Sequence, residues 1–309
     1  MPLNIPDKLP AIEILQEENI FVIDESRAAH QDIRPLKIAL LNLMPLKIST
    51  EIDIIRLLSN SPLQVELDLI KLSTHVSKNT SIEHMQAFYK DFSRILNQKY
   101  DGLIITGAPV EQMAFEGVSY WEELTNIFDW ARANVTSSVF ICWGAQAALY
   151  HYYGIPKYPL DKKMFGVFKQ SICDPKHPLF RGFDDFFFVP HSRYTEVRKS
   201  DIDKVPDLKV LSESSISGVN IVASKNGREF FFTGHAEYSP DTLDMEFKRD
   251  REKNLPIDIP ANYYIDNNPN NAPMVTWRSH ANLLFVNWLN YFVYQITPYN
   301  IEAIEQERG

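Results

Sequence analysis

The stretch SVFICWGAQAAL, residues 138–149, decides the fold. Its first half, up to Ile141, is an apolar run rich in β-forming residues, which is typical of a buried strand. Its second half is rich in alanine and predicts a helix. Cys142 lies at the junction, and Gly144 gives the backbone room for a tight turn. A strand, a sharp turn and a helix together place a nucleophile beside a helix N-terminus, where N–H groups stabilise a thiolate and an adjacent oxyanion.

Length and composition narrow the class of protein. The 309 residues suffice for one or two domains, and 45% of them are hydrophobic and 23% charged, which is ordinary for a soluble globular protein. A net charge of −9 argues against a nucleic-acid partner, which requires a basic surface. Two cysteines, Cys142 and Cys173, predict no disulfide framework and a reducing cytoplasm. Residues 1–15 lack the apolar core of a signal peptide, and no apolar run has the length of a membrane span.

Strands and helices alternate in the first half of the chain. The predicted strands are 36–43, 65–72, 103–106 and 139–142, and the predicted helices are 49–60, 81–96 and 121–134. Parallel neighbours need crossover helices, so this order predicts an α/β fold with a doubly wound, mostly parallel sheet and flanking helices. Ligands of such sheets bind outside the carboxyl ends of the strands. Gly107 and Cys142 each follow a strand, so we expect them to share one crevice.

The second half of the chain is rich in strands with short connections. The predicted strands are 164–172, 186–189, 209–212, 219–224 and 229–233, and the predicted helices are 241–253 and 279–296. We expect one α/β domain over residues 36–297, with a C-terminal tail at 298–309. Residues 1–35 contain four prolines and predict an N-terminal arm with a short helix at 11–18, packed on the body or on a second subunit. A homodimer therefore remains open.

His235 and Glu237 are the best partners for a reactive Cys142. They follow the predicted strand 229–233, and residues i and i+2 of an extended segment point the same way. A carboxylate there would orient the imidazole and stabilise its charged form, as in a catalytic triad. A single cysteine after an apolar strand is more often an inert core residue, but the turn and the His-x-Glu pair favour a nucleophile. Cys173 has no such setting and is interpreted as structural.

The motifs resemble two related families. Cys142 to Gln146 together with His235-Ala236-Glu237 resembles the class I glutamine amidotransferase (flavodoxin-like) fold. That family usually has glycine two residues before the nucleophile and histidine three residues after it, where this chain has Phe140 and Ala145. The chain is more similar, over nearly its whole length, to the homoserine O-acyltransferase family of methionine biosynthesis. The shared motifs are LNLMP at 41–45, TGAPVE at 106–111, ICWGAQ at 141–146, PHSR at 190–193 and GHAEY at 234–238.

The resemblance implies a ping-pong acyltransferase with acyl-CoA as co-substrate, no bound cofactor and no metal. Cys142 would attack the thioester while His235 takes its proton, and His235 would then deprotonate the homoserine hydroxyl, which attacks the acyl-cysteine. The Trp143 N–H would be one oxyanion donor. The second would come from the turn at Gly107 and Ala108, since the proline that follows has no N–H.

The resemblance also places Lys163, Ser192 and Arg249 in contact with substrate. Homoserine is a zwitterion, so its site needs a cation and an anion. Glu246 and Arg249 lie three residues apart on a predicted helix, hence on one face, and suit both roles. By their spacing alone, these charges equally fit a solvated salt-bridged helix face, and Lys163 and Ser192 fit an ordinary surface lysine and loop serine.

Glu111 occupies the position that resembles the family's specificity switch between succinyl and acetyl donors, and the family pattern also assigns Ser192 to specificity. A carboxylate near the acyl pocket would repel the free carboxylate of a succinyl group. We therefore expect acetyl-CoA as the donor. Without the resemblance, Glu111 is as well explained by a helix cap or a solvent-facing side chain.

A homoserine O-succinyltransferase that uses succinyl-CoA is the first alternative, and two functions outside this family also remain open. A glutaminase would use the same Cys142, His235 and Glu237 to release ammonia from glutamine, although Phe140 and Ala145 argue against it. A binding module with a vestigial cysteine is the other alternative, and the retained His-x-Glu pair argues against it. Glutamine hydrolysis and acetyl transfer to Cys142 distinguish these two from an acyltransferase.

Overall fold

A sheet of twelve strands runs through the part of the chain that the computed structural model describes, which is residues 3–5, 9–17, 22–24, 34–74, 79–298 and 301–304. The strands are β1 Leu3–Ile5, β2 Val22–Asp24, β3 Leu36–Leu41, β4 Val65–Lys71, β5 Tyr89–Asp91, β6 Tyr100–Ile105, β7 Val135–Ile141, β8 Tyr158–Ile172, β9 Phe186–Glu196, β10 Leu208–Ser214, β11 Gly218–Ser224 and β12 Glu229–Phe232.

Helices flank this sheet. They are α1 Ala11–Glu17, α2 Lys47–Leu58, α3 Ile82–Phe88, α4 Trp121–Asn134, α5 Trp143–Tyr153, α6 Lys199–Ile202, α7 Thr242–Glu252 and α8 Arg278–Asn287, which continues as a π-helix over Trp288–Tyr294. Short 3₁₀ turns occupy Phe92–Arg94, Phe115–Gly117, Pro178–Phe180, Ile265–Asn267 and Ile301–Ala303.

The sheet has a parallel half and an antiparallel half. Its order is β2-β1-β4-β3-β6-β7-β12-β11-β10-β8-β9, with β5 beside β4. All pairings from β2 to β12 are parallel, and all pairings from β12 to β9 are antiparallel. The α/β prediction is confirmed, with the reservation that the second half of the chain adds an antiparallel extension. The strands in the second half of the chain pair antiparallel because the connections between them are too short for the crossovers that parallel strands need.

The central strands are buried on both faces. In β3, Ile38 and Leu40 face one apolar core while Ala39 and Leu41 face the other, and all four are at most 1% exposed. This alternation is expected where helices cover both sides of a parallel sheet. The carboxyl ends of β3, β6, β7 and β12 consequently meet along one edge.

The helix predicted over 81–96 ends early. It stops at Phe88, and the chain passes into β5 and then into a 3₁₀ turn. Tyr89 explains the break, because its backbone pairs with β4 while its hydroxyl donates to the buried Glu51 carboxylate at 2.6 Å. This tertiary hydrogen bond, together with the pairing to β4, ends the helix at Phe88 although the apolar periodicity continues.

Described parts of residues 1–35 belong to the sheet. Strand β1 pairs with β4 and β2 pairs with β1, so these two strands extend its parallel edge and do not form an extended arm. The predicted short helix is present as α1. The remainder of the predicted arm, including 25–33, lies outside the described residues. The helix predicted over 279–296 is present as α8 and the π-helix. Among the described residues, no helix is both long and apolar enough to cross a membrane.

Candidate active site

Cys142 occupies a strained turn between β7 and α5, called here the elbow. Its backbone has φ 50° and ψ −115°, a left-handed conformation that a residue with a side chain adopts only when its surroundings enforce it. The Cys142 N–H donates to the Phe232 carbonyl at 2.7 Å, which ties the elbow to the end of β12. Gly144 lets the helix approach β6, because a Cβ there would lie 2.6 Å from the Thr106 carbonyl oxygen.

The structure brings His235 and Glu237 to Cys142. His235 Nδ1 and Glu237 Oε1 are 2.6 Å apart. The imidazole lies beside Cys142, since a Cβ at Gly107 would be 3.7 Å from His235 Cε1 and 3.2 Å from the Cys142 Cβ. The geometric reason differs from the prediction. Strand β12 ends at Phe232, and the His-x-Glu segment is a turn, held by the His235 N–H donating to the Pro190 carbonyl at 2.8 Å.

The charges around His235 favour its protonated form. Burial opposes that charge, but the Glu237 carboxylate and the Cys142 sulfur together raise the pKa of His235 well above its ordinary value. Tyr238 stacks on the imidazole at 4.1 Å and 13°, which fixes the ring plane. A histidine in this position can accept the thiol proton and so activate the sulfur as a nucleophile.

Backbone donors surround the elbow. Trp143 is the first residue of α5, so its N–H has no carbonyl partner within that helix. Gly107 lies against the nucleophile, since a Cβ there would be 3.2 Å from the Cys142 Cβ. The Thr106 hydroxyl donates to the Gly107 carbonyl at 3.1 Å, which fixes the peptide whose nitrogen belongs to Ala108. The two positions predicted as oxyanion donors therefore flank the elbow.

Lys163, Ser192 and Glu246 form one buried polar cluster. Glu246 accepts hydrogen bonds from Lys163 Nζ at 2.6 Å and from Ser192 Oγ at 2.8 Å. The side chains of Lys163 and Glu246 are only 10% and 17% exposed. Ser192 lies on β9, which extends past the predicted end at 189, so it is not a loop residue. Lys163 and Glu246 are therefore largely shielded from solvent, whereas the pair of Glu246 and Arg249 on α7 also fits a salt-bridged helix face.

Arg249 lies at the edge of this cluster. Its guanidinium is 2.7 Å from the buried Asp250 carboxylate and 3.5 Å from Glu246, while about half of its side chain is exposed. Lys163 Nζ also lies 3.8 Å from Asp250. Two cations and two carboxylates thus alternate at the rim of the cleft, with Arg249 facing solvent.

Tyr238 links the polar cluster to the nucleophile. Burial, followed by the charges of Glu246, Glu237 and Cys142, raises the pKa of its hydroxyl well above the usual value. The Tyr238 hydroxyl is therefore within electrostatic range of both Glu246 and the Cys142 sulfur.

Glu111 faces the same cleft. Burial raises the pKa of its carboxyl group, against the opposing effects of a hydrogen bond from the Tyr194 backbone and the positive charges of His235, Lys163 and Arg193. The Glu111 carboxyl group is thus within electrostatic range of His235, Lys163 and Arg193. It does not cap a helix in the structure, since the next helical turn begins at Phe115.

The sequence interpretation gave no role to Arg193, which is 1% exposed. Its guanidinium donates to the Thr195 carbonyl at 2.6 Å and to the carbonyl of Ser217. Burial lowers the pKa of Arg193, while the charges of Cys142, Glu196 and Glu111 oppose this effect. Gln146 of α5 shares the Thr195 carbonyl at 3.2 Å, so β9 is linked to the elbow helix. The PHSR motif at 190–193, which contains this arginine, was the available signal.

A second group that the sequence interpretation missed is Lys47. It is buried in the first turn of α2, two residues before the predicted helix start, and donates to the Asn42 carbonyl at 2.5 Å. Burial lowers its pKa to about 8, partly offset by Glu51. The Glu51 carboxylate in turn binds His84 at 3.0 Å and Tyr89. The LNLMP motif that precedes Lys47 was the available signal.

Cys173 lies on the surface, away from the elbow, where partial burial and the Glu213 charge raise the pKa of its thiol. A reactive thiol needs an environment that lowers its pKa, so Cys173 is not a candidate nucleophile. Within the described ranges, no three His, Cys, Asp or Glu side chains are grouped as metal ligands would be.

Known proteins match the chain over its whole length. A family model described as homoserine O-succinyltransferase matches residues 2–299. The chain belongs to the homoserine O-acyltransferase family. A homoserine O-acetyltransferase of Bacteroides thetaiotaomicron is 68% identical over 99% of this chain and 100% of that protein. A homoserine O-acetyltransferase of Desulfitobacterium hafniense is 59% identical over 98% of this chain and 99% of that protein.

Solved structures agree on the fold of this acyltransferase family member. A glutamine amidotransferase from Thermotoga maritima superposes with a TM-score of 0.54 at 11% identity, covering 85% of this chain and 100% of that chain. A second one, from Methylobacillus flagellatus, gives a TM-score of 0.52 at 12% identity, covering 84% of this chain and 95% of that chain. These likenesses confirm the predicted amidotransferase-like fold.

Proposed function

We propose that this protein is a homoserine O-acetyltransferase that moves an acetyl group from acetyl-CoA to the hydroxyl of L-homoserine through an acyl-Cys142 intermediate, in methionine biosynthesis. The observation that carries the proposal is the elbow, where Cys142 in a strained conformation lies beside His235 and Glu237 orients the imidazole. The names of the full-length relatives support the same activity.

The first half-reaction uses the thiolate and the backbone donors. Cys142 Sγ attacks the acetyl carbonyl, and the negative charge that develops on its oxygen is stabilised by the N–H groups of Trp143 and Ala108. The tetrahedral intermediate expels the sulfur of CoA, which takes the proton held by His235. The acetyl group then remains on Cys142 as a thioester, and the imidazole is neutral.

The second half-reaction uses His235 as a base. Its imidazole takes the homoserine hydroxyl proton as that oxygen attacks the acetyl-cysteine, and collapse releases O-acetylhomoserine with Cys142 as a thiolate beside the reprotonated imidazole. Glu237 keeps Nδ1 protonated, so that Nε2 accepts the proton.

The polar cluster supplies the charges that a zwitterion needs. We assign the homoserine ammonium to Glu246 and its carboxylate to Arg249, with Lys163 and Ser192 contacting the substrate beside them. Asp250 and Glu246 engage Nε and Nη2 of Arg249, so we place the carboxylate at Nη1. Lys163 and Ser192 each donate to Glu246, which holds its carboxylate in one orientation when the site is empty.

Glu111 supports acetyl-CoA as the donor. Its carboxyl group is within electrostatic range of His235, and we place it beside the acyl group, where a succinyl carboxylate would meet a like charge and an occupied volume. Two like charges about 4 Å apart repel by about 4 kcal/mol at an effective dielectric constant of about 20. We place Ser192 beside this residue in donor selection. The small-molecule substrates and the cysteine usage fit a cytoplasmic enzyme, and a homodimer is one assembly that it could adopt.

Intact mass spectrometry with acetyl-CoA tests the proposal. We expect acetylation of the wild type, discharge on adding L-homoserine, and no adduct on Cys142→Ala. Glu237→Gln should acylate more slowly by about 100-fold or more, because the imidazolium loses its stabilising carboxylate. Ammonia release from glutamine without thioester consumption would show a glutaminase instead, and the absence of both reactions would leave the binding-module alternative.

Steady-state rates with two donors test the specificity. The wild type should prefer acetyl-CoA over succinyl-CoA, and Glu111→Gly should raise succinyl-CoA use by about 100-fold, which corresponds to about 3 kcal/mol of removed repulsion. A wild-type preference for succinyl-CoA would refute the role assigned to Glu111.

A further inference from the structure

Lys157 contacts the segment that carries Glu111. Its Nζ lies 2.6 Å from the Glu111 carbonyl oxygen and 2.5 Å from that of Met113, and 4.3 Å from the centre of the Phe115 ring. Lys157 itself follows the left-handed C-cap of α5 at Gly154, so it projects from the end of the elbow helix. All these contacts cross to residues more than forty positions earlier in the chain.

The segment 109–114, called here the donor loop, has few other interior contacts. The other five residues of this loop, which flank Glu111 on both sides in sequence, are exposed or half-exposed, and Met113 is 45% exposed. It begins beside Ala108 at the elbow and ends at the buried Phe115, which stacks on Trp121 and Tyr150. Between those fixed ends, the ammonium of Lys157 binds the main chain at two points.

The surroundings of the Lys157 ammonium disfavour its charged form. Burial lowers the pKa of this lysine, although Glu111 and Glu116 oppose the shift. No carboxylate lies within ion-pairing distance of its Nζ in the described residues. The ammonium donates its hydrogen bonds to two main-chain carbonyl groups and lies over an aromatic ring. We call this arrangement a main-chain clamp.

Glu111 is consequently held at two places. Lys157 binds its main-chain carbonyl, and the Tyr194 backbone N–H binds its side-chain carboxylate. A shift of the donor loop would move the carboxylate away from β9 and change the volume and charge that an acyl group meets.

We propose that Lys157 is a positioning residue for acyl-donor discrimination, because its ammonium fixes the donor loop so that the Glu111 side chain stays in the cleft. This inference rests on the proposed function, in which Glu111 selects the donor. Lys157 acts through the loop and does not touch the reacting atoms.

Lys157→Met tests the inference, and the chain offers a matched control. Lys99 Nζ likewise binds two carbonyl oxygens, those of Glu302 and Ile304 at 2.7 and 2.6 Å, far from the elbow. Lys157→Met and Lys99→Met each remove one such clamp. Lys157→Arg keeps a cation that can reach the same carbonyls.

Three readouts separate positioning from general destabilisation. We expect Lys157→Met to lower the ratio of kcat/KM for acetyl-CoA over succinyl-CoA by about tenfold, the size of one lost charged hydrogen bond. The KM for homoserine should change less than twofold, and Lys157→Arg should restore most of the ratio. Amide hydrogen exchange over residues 109–114 should accelerate in Lys157→Met alone. Lys99→Met should leave the ratio unchanged.

An unchanged donor ratio in Lys157→Met would overturn the inference, as would an equal loss in Lys99→Met. If the wild type uses neither donor, the proposed function fails, and the exchange measurement still decides the clamp: unchanged exchange over 109–114 in Lys157→Met refutes it. The two failures are therefore distinguishable.

Discussion

Lys47 is a buried base at the edge of the sheet where the elbow lies. It is 7% exposed, its ammonium donates to the Asn42 and Met44 carbonyls, and its pKa is about 8 against 10.5 in an unfolded chain. Hydrogen bonds from the ammonium help to keep this lysine charged at neutral pH. The buried charge lowers the free energy of unfolding, because the unfolded chain binds the same proton more tightly.

This difference predicts a pH dependence. Between about pH 8 and 10.5 the folded protein has released the Lys47 proton and the unfolded chain still holds it, so stability should rise with pH across this window. Relative to Lys47→Met, the wild type should gain about 3 kcal/mol in the free energy of unfolding from pH 7.5 to 10.5. Urea denaturation of both proteins at these pH values checks it. A difference that stays constant with pH would contradict the assignment.

At the scale of elements, the site depends on how closely α5 packs on β6. Only a glycine fits at position 144, because the Thr106 carbonyl oxygen lies 2.6 Å from where a Cβ would be, and a main-chain carbonyl of a central strand cannot move aside. The elbow conformation of Cys142 and the position of the Trp143 N–H both depend on this contact.

Gly144→Ala should therefore push the N-terminus of α5 away from β6. We expect a loss of about 1–3 kcal/mol in stability, as for other overpacked positions, and a larger loss of activity, about 100-fold in kcat/KM, since the oxyanion donor moves with the helix. Thermal unfolding and acetyl-transfer kinetics measure the two. Gly117→Ala is the control, because a Cβ there meets nothing within 4 Å. Equal kinetics in the two variants would show that the close approach is dispensable.

At the scale of the whole molecule, Asp101 ties together distant parts of the chain. This fully buried carboxylate on β6 binds both terminal nitrogens of Arg34 at 2.9 and 3.0 Å and the Lys37 N–H at 2.7 Å, and accepts from the Thr297 hydroxyl. It lies at the amino end of β6, the opposite end from Gly107.

Asp101→Asn should destabilise the fold without changing the chemistry. Breaking a buried ion pair costs about 3–5 kcal/mol, whereas Glu213→Gln, which breaks the exposed pair with Lys199, should cost less than about 1 kcal/mol. Urea denaturation measures both, and kcat/KM below the unfolding range should stay within twofold of wild type. A large drop in activity of the folded Asp101→Asn protein would show that this link also shapes the site.

The sequence by itself determined the central strands, the helix at 121–134, the elbow cysteine and the choice of His235 and Glu237, because each depends on local periodicity or on a short motif. Only the tertiary structure decided that residues 82–91 break from helix into strand, that β9 reaches past Ser192, and that the His-x-Glu segment is a turn. Two long-range contacts were also not predictable: Lys157 donates to the Glu111 carbonyl, 46 residues earlier, and Arg193 donates to the Ser217 carbonyl, 24 residues later. Such contacts form only after distant segments pack, so no local pattern encodes them.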